Sequence, residues 1–224
     1  MKKIQLTEPG WTHQNIWEGC ILASIAHAIF IANDPEFAYE HSWDGNNYST
    51  NDGQGSRGTV AFGQESYVAG FRNDHFAFHP LDANQYFTEA PDQVQQIAEQ
   101  ETLQYLLDKV DGATRPVVTT VLWESEQGVF SSHPYDVMLD RGADLLEVQA
   151  SAYETALEYW EEYYELTEEQ LLLVEKLYHL KMEDPTRQIL LSEEDIQSIN
   201  ATDVEGIEES KISFSEVGID WSSL

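Results

Sequence analysis

The chain carries a single cysteine, Cys20, in 224 residues. An internal disulfide framework and a thiolate-rich zinc site are thereby excluded, and a reducing compartment fits. No run of 18 or more apolar residues occurs, so a membrane-spanning helix is not encoded. Residues 1–30 contain Lys2 and Lys3, but Glu8, His13, Gln14 and Glu18 interrupt the stretch behind these lysines. No apolar core of a secretory signal is therefore present. The expectation is a soluble cytoplasmic protein.

Basic residues are also scarce: 11 Lys and Arg stand against 41 Asp and Glu, a formal net charge of −30 and a pI near 4.2. The imbalance is uneven. Residues 1–88 hold 10 acidic and 4 basic residues, whereas residues 89–224 hold 31 and 7. Such a field repels nucleic-acid phosphates and anionic lipid, which argues against nucleic acid and membranes as partners. It attracts and steers a basic protein. Solubility or salt adaptation of the cell is the competing explanation of the same charge.

What is abundant is aromatic. Hydrophobic residues make up 42% of the chain and aromatics 12%, with 6 Trp, 11 Tyr and 9 Phe. That is too apolar for disorder, and the length suffices for a substantial core. From Asn15 to Phe30, Ile16, Cys20, Ala23, His27 and Phe30 recur at steps of three and four, with Ile21, Ile25 and Ile29 as a second stripe. This predicts a helix buried on most sides. Residues 41–58 read as glycine-rich turns flanked by aromatics. "RGTVAF" and "SYVAGFR" around "GQE" predict a β-hairpin, so 41–72 forms a small antiparallel sheet.

Pro91 opens a second helical pattern that Gly112 stops. "PVVTTVLW" (116–123) is a strand with which "QGVF" pairs. From Leu145 to Tyr163 apolar residues follow a helical period, and Thr167 with Gln170 forms a capping box that starts another helix. Pro185 ends that region. "SEED" (192–195) caps a last short helix through Ile199, and the 200–224 tail is weakly patterned, a docked segment or edge strand. The fold class expected is α+β: a small antiparallel sheet, a buried N-terminal helix and a helical, acidic C-terminal half. A single domain over 1–224 is the simplest organisation, divisible into a mixed part (1–143) and an acidic helical part (144–224).

Cys20 is the one thiol that could carry chemistry. Gln14 precedes it by six residues at the start of a helix, an arrangement that resembles the glutamine–cysteine pair of papain-like peptidases. The resemblance implies Cys20 as nucleophile and His133 as its base, with Asp136 or Asp140 to orient it. The flanking "WEGCILA" departs from that family's pattern, and Glu18 beside the thiol disfavours a thiolate. A small apolar residue in a core is the preferred reading of Cys20, and a cysteine hydrolase the alternative.

His75 and His79, near Asp74, with His41 and Asp44, do not make a metal site without a fixed third ligand. Paired carboxylates are too many to be specific, and no phosphate-binding glycine loop or nucleophile elbow is present. No cofactor is implied.

Two stretches remain as recognition surfaces. One is "SWDGNNY…QGSRG", carrying Trp43, Asp44, Tyr48 and Arg57 on turns. Over residues 41–72 it resembles a segment of uncharacterised bacterial proteins, which implies no activity. The other is "ETALEYWEEYYELTEEQ" (154–170), where Trp160 and Tyr164 interleave with Glu154, Glu158, Glu161, Glu162 and Glu165. The function expected from these is a non-enzymatic acidic binding protein, of immunity or inhibitor type, that occludes a basic partner such as a nuclease's nucleic-acid surface.

Overall fold

The computed structural model describes residues 3–76 and 82–221. The fold is α+β. Its frame is a seven-stranded antiparallel sheet of β1 (Ile4–Gln5), β2 (His41–Asp44), β3 (Asn47–Asn51), β4 (Ser56–Phe62), β5 (Tyr67–Asn73), β8 (Thr120–Ser125) and β9 (Gly128–Ser131). Their order across the sheet is β1-β9-β8-β5-β4-β3-β2. Between β5 and β8 lie α2 (Asp92–Gln100) and a hairpin of β6 (Leu107–Val110) with β7 (Ala113–Pro116). The expected 41–72 sheet is present as β2–β5, joined strand to strand in order. β8, β9 and β1 extend it.

Alternation along the strands covers both faces of the sheet. Tyr67, Ala69 and Phe71 of β5, with Val60, Phe62, Leu122 and Val129, pack against Ile16 and Cys20 of the first helix, α1 (His13–Phe30). Val68, Val121, Trp123 and Phe130 pack on the other side against Val94 and Ala98 of α2 and Leu103 and Leu106 beyond it. Thr12 caps α1, accepting from the Asn15 backbone N–H.

The rest of α1 buries Ile21, Ile25 and Ile29 in a helical layer. That layer is built by α4 (Tyr153–Tyr163), α5 (Glu168–Glu183) and α7 (Val204–Glu216). α3 (Tyr135–Asp140) follows the sheet, and α6 (Glu193–Ile199) joins α5 to α7. β10 (Ile189–Leu191) and β11 (Ile219–Trp221) pair in parallel, so part of the 200–224 tail is a docked strand. α1 is thus covered by sheet on one side and by helices on the other, which its nearly all-apolar circumference requires. Among the described residues no helix is long and apolar enough to cross a membrane.

Four expectations are corrected. The helix opened at Pro91 ends at Gln100, not near Gly112, because Glu101 leaves the helical region (φ −121°, ψ −81°); Asp111 and Gly112, both with positive φ (52° and 80°), instead turn β6 into β7. Asp-Gly with two left-handed residues is a strong hairpin signal. The strand expected over 116–123 begins at Thr120, since Pro116 already ends β7. The long helix expected from Leu145 starts at Tyr153, after a single 3-10 turn at Ala143–Leu146.

The helix over 193–199 is also not the last: α7 follows it. Its buried face carries one large apolar residue, Phe214, and otherwise Gly206, Ser210 and Ser213, so it lacks an apolar stripe. The three are small because the end of α1 is close: a Cβ on Gly206 would lie 2.4 Å from the Ala32 carbonyl oxygen, and Ser210 Oγ donates to the Ala28 carbonyl at 2.5 Å.

Candidate functional site

Cys20 is fully buried, and burial pushes its thiol pKa well up, the direction opposite to a nucleophile's needs. Gln14 is exposed and donates to Glu18 Oε1 at 2.9 Å. His133 holds its Nδ1 3.0 Å from both the Thr120 and Ser132 hydroxyls, and its ring lies against Tyr86. Burial, and then the charge of Arg141, lower its pKa to about 4. Asp136 and Asp140 are exposed, and the groups on His133 Nδ1 are hydroxyls rather than a carboxylate. Among the described residues no hydrogen bond links Cys20, Gln14 and His133.

The histidines in the core form a different cluster. His41 Nδ1 accepts from the Tyr48 hydroxyl at 2.6 Å, and that hydroxyl accepts from Gln149 Nε2 at 3.0 Å. His27 meets His41 edge to face at 5.1 Å and donates from Nε2 to the Phe37 carbonyl at 3.1 Å. Burial lowers the pKa of His27 to about 4 and that of His41 well below its usual value, so both are neutral. Among the described residues no group of three or more His, Cys, Asp or Glu is placed to hold a metal. His79 lies outside them.

The stretch expected as turns is strand at all four of its candidate residues, with Trp43 and Asp44 on β2, Tyr48 on β3 and Arg57 on β4, and it supplies structure more than surface. Tyr48 is fully buried under this hydrogen-bonded pair. Trp43 stacks on Phe62, donates from Nε1 to Ser24 Oγ at 2.8 Å, and donates its backbone N–H to Glu216. Arg57 pairs with Asp74 and Asp108 at 4.0 and 3.7 Å. Asp44 is exposed and accepts from the Tyr105 hydroxyl. Of the four residues expected at this surface, Tyr48 is corrected to the core, where its ring completes the packing between α1 and the sheet.

The acidic helix is where a face forms. Glu154, Glu158, Glu161, Glu162 and Glu165 are all exposed. Trp160 and Tyr164, expected beside them, lie in the core instead, each 4% exposed, because α4 turns that stripe onto α1. Tyr159 and Tyr163 take the outer position, stacked at 5.6 Å and 13° and exposed by 42% and 50%. Tyr39, 47% exposed, adds a third accessible ring. Beneath them Glu40 is buried and accepts from the Tyr163 and Tyr164 hydroxyls, both at 3.0 Å. Burial raises the Glu40 pKa, and the two hydroxyls pull it back.

Where α4 ends, the chain opens a cleft of about 400 Å³. Phe30, Tyr163 and Tyr164 form its aromatic wall, and Asp34 and Glu165 bring carboxylates to it. Phe30 and Tyr164 stack at 4.5 Å, which fixes the wall. Burial and the neighbouring charge of Glu36 raise the Asp34 pKa. Among the described residues neither Asp34 nor Glu165 has a lysine or arginine partner.

Glu165 is itself unusual. Leu166 N–H donates to the Glu161 carbonyl at 3.0 Å and Glu165 N–H to the Glu162 carbonyl at 3.4 Å, which closes α4 in a Schellman turn. Glu165 sits at its left-handed position with φ +50°, where glycine is preferred. Its charge also faces the negative end of the helix dipole. Tyr153, Tyr159, Trp160, Tyr163 and Tyr164 are too many rings for one core stripe, so the sequence places some of them at the surface, and Tyr159 and Tyr163 are the exposed ones although Trp160 and Tyr164 were the expected site residues. No sequence signal marked Tyr39 or Asp34 as part of the site. No family model, curated protein or solved structure matches the chain.

Proposed function

We propose that the protein is a non-enzymatic acidic binding protein, of inhibitor or immunity type. It docks a basic protein on the outer face of α4 and seats a lysine or arginine side chain of that partner in the cleft between Asp34 and Glu165. The observation that carries this reading is the cleft, with two carboxylates lacking a cation among the described residues and set against three aromatic rings. A guanidinium or ammonium entering it gains charge-assisted hydrogen bonds from the carboxylates and cation–π contact from the rings. Tyr159, Tyr163 and Tyr39 supply contact area of the kind that dominates binding energy, and the net charge of −30 steers the approach. Occlusion of a nuclease's nucleic-acid surface is the most concrete form, because such a surface is basic.

A chain this acidic binds any polycation to some degree, so the test must separate site from bulk charge. A fluorescent arginine-rich peptide is titrated by anisotropy at low and at high salt. The wild type is compared with Asp34→Asn/Glu165→Gln and with Glu99→Gln/Glu126→Gln, which removes the same charge from exposed positions elsewhere. The expected result is a loss of about tenfold in the first pair and little change in the second. Equal losses in both would make the acidity a bulk property, as solubility or salt adaptation requires, and would overturn the proposal.

A further inference from the structure

A second opening, of about 430 Å³, lies at the end of the sheet where β5 finishes. One wall is apolar, formed by Phe76, Val117 and Val118; Tyr86, Arg72 and Arg141 are among the polar residues around it. Three of the chain's 11 basic residues gather in this region of a protein that is otherwise strongly acidic. Two of them are neutralised. Arg72 donates to Asp74 and Asp108, and Arg57 pairs with the same two carboxylates. Two positive charges and two negative charges cancel there.

Arg141 is left over. Its backbone is fixed: the N–H donates to the Val137 carbonyl at 3.2 Å, and the carbonyl accepts from Thr119 Oγ1 at 2.6 Å. Its guanidinium lies over the Phe76 ring at 5.1 Å. Among the described residues no carboxylate pairs with it, and its buried Nε has no hydrogen-bond partner. A buried N–H without a partner is costly and rare. The Tyr86 hydroxyl likewise makes no hydrogen bond among the described residues. The neighbouring His133 is neutral and brings no competing charge.

We infer that this opening binds a small organic monoanion, a carboxylate carried on an apolar or aromatic body. Arg141 supplies the planar fork that matches a carboxylate, Tyr86 a second donor, and Phe76 with Val117 and Val118 the surface for the body. The charge count selects the class. One unbalanced positive charge suits a monoanion, and Asp74 at the rim opposes a phosphate dianion.

The test titrates ¹⁵N-arginine-labelled wild-type protein with benzoate, with inorganic phosphate, and with sodium chloride at matched ionic strength, following the Arg141 Nε–H resonance. Benzoate is expected to move that resonance saturably while phosphate and chloride do not. Arg141→Lys, which keeps the charge and loses the fork, is expected to weaken benzoate at least about tenfold, and Tyr86→Phe to weaken it severalfold. No saturable shift with benzoate in the wild type would overturn the site. Saturation by phosphate alone would overturn the ligand class, and unchanged benzoate affinity in Arg141→Lys would overturn the part assigned to the fork.

Discussion

Glu165 departs from two local rules at one position. A non-glycine residue in the left-handed region costs about 1 kcal/mol or more, and a negative charge at a helix C-terminus adds several tenths. Glycine would relieve both, yet glutamate stands there and lines the cleft. Departures of this kind cluster at functional positions. Cys20 illustrates the opposite case. It satisfies every local rule for a core residue, and its burial was legible in the period of α1. Iodoacetamide should therefore label Cys20 only in denaturant; rapid labelling of the native protein would return the cysteine hydrolase to the front. Side-chain direction was less legible than burial. Tyr48, Trp160 and Tyr164 are amphipathic, and composition does not decide whether such a ring faces a partner or the core. The packing of α4 on α1 decided it for two of them.

Among the elements, those with explicit start signals were readable. The box of Thr167 and Gln170 and the box of Ser192 and Asp195 both form with both reciprocal hydrogen bonds. α7 was not readable because its contact with α1 is made by backbone, small side chains and the single ring of Phe214 rather than by an apolar stripe. The same close approach occurs at the other end of α1, where a Cβ on Gly19 would lie 2.0 Å from the Gln149 carbonyl oxygen. Neither neighbour is a flexible side-chain tip, so the backbone must shift. Gly19→Ala and Gly206→Ala should each destabilise the protein by about 1–3 kcal/mol, even though alanine favours an isolated helix by up to about 1 kcal/mol. Urea unfolding of each variant measures this. A gain in stability at either position would mean that α1 does not meet these neighbours as described.

For the whole molecule, the α+β class was legible and the extent of the sheet was not. β1 contributes only two residues, and β9 four, too short to carry a period of their own. The acidic half was legible in its charge. Its organisation was not, because pairing a carboxylate at residue 34 with another at residue 165 depends on how the end of α1 meets the end of α4. The proposed function depends on that meeting: in it the excess charge would steer a basic partner and the cleft would select it.

The most direct measurement is Glu165→Gly, taken for stability and for affinity in one preparation. The account predicts that the urea midpoint rises, by about 1 kcal/mol of stability, while affinity for the arginine-rich peptide falls. Stability gained with affinity unchanged would contradict it, because the strained glutamate would then contribute nothing to binding.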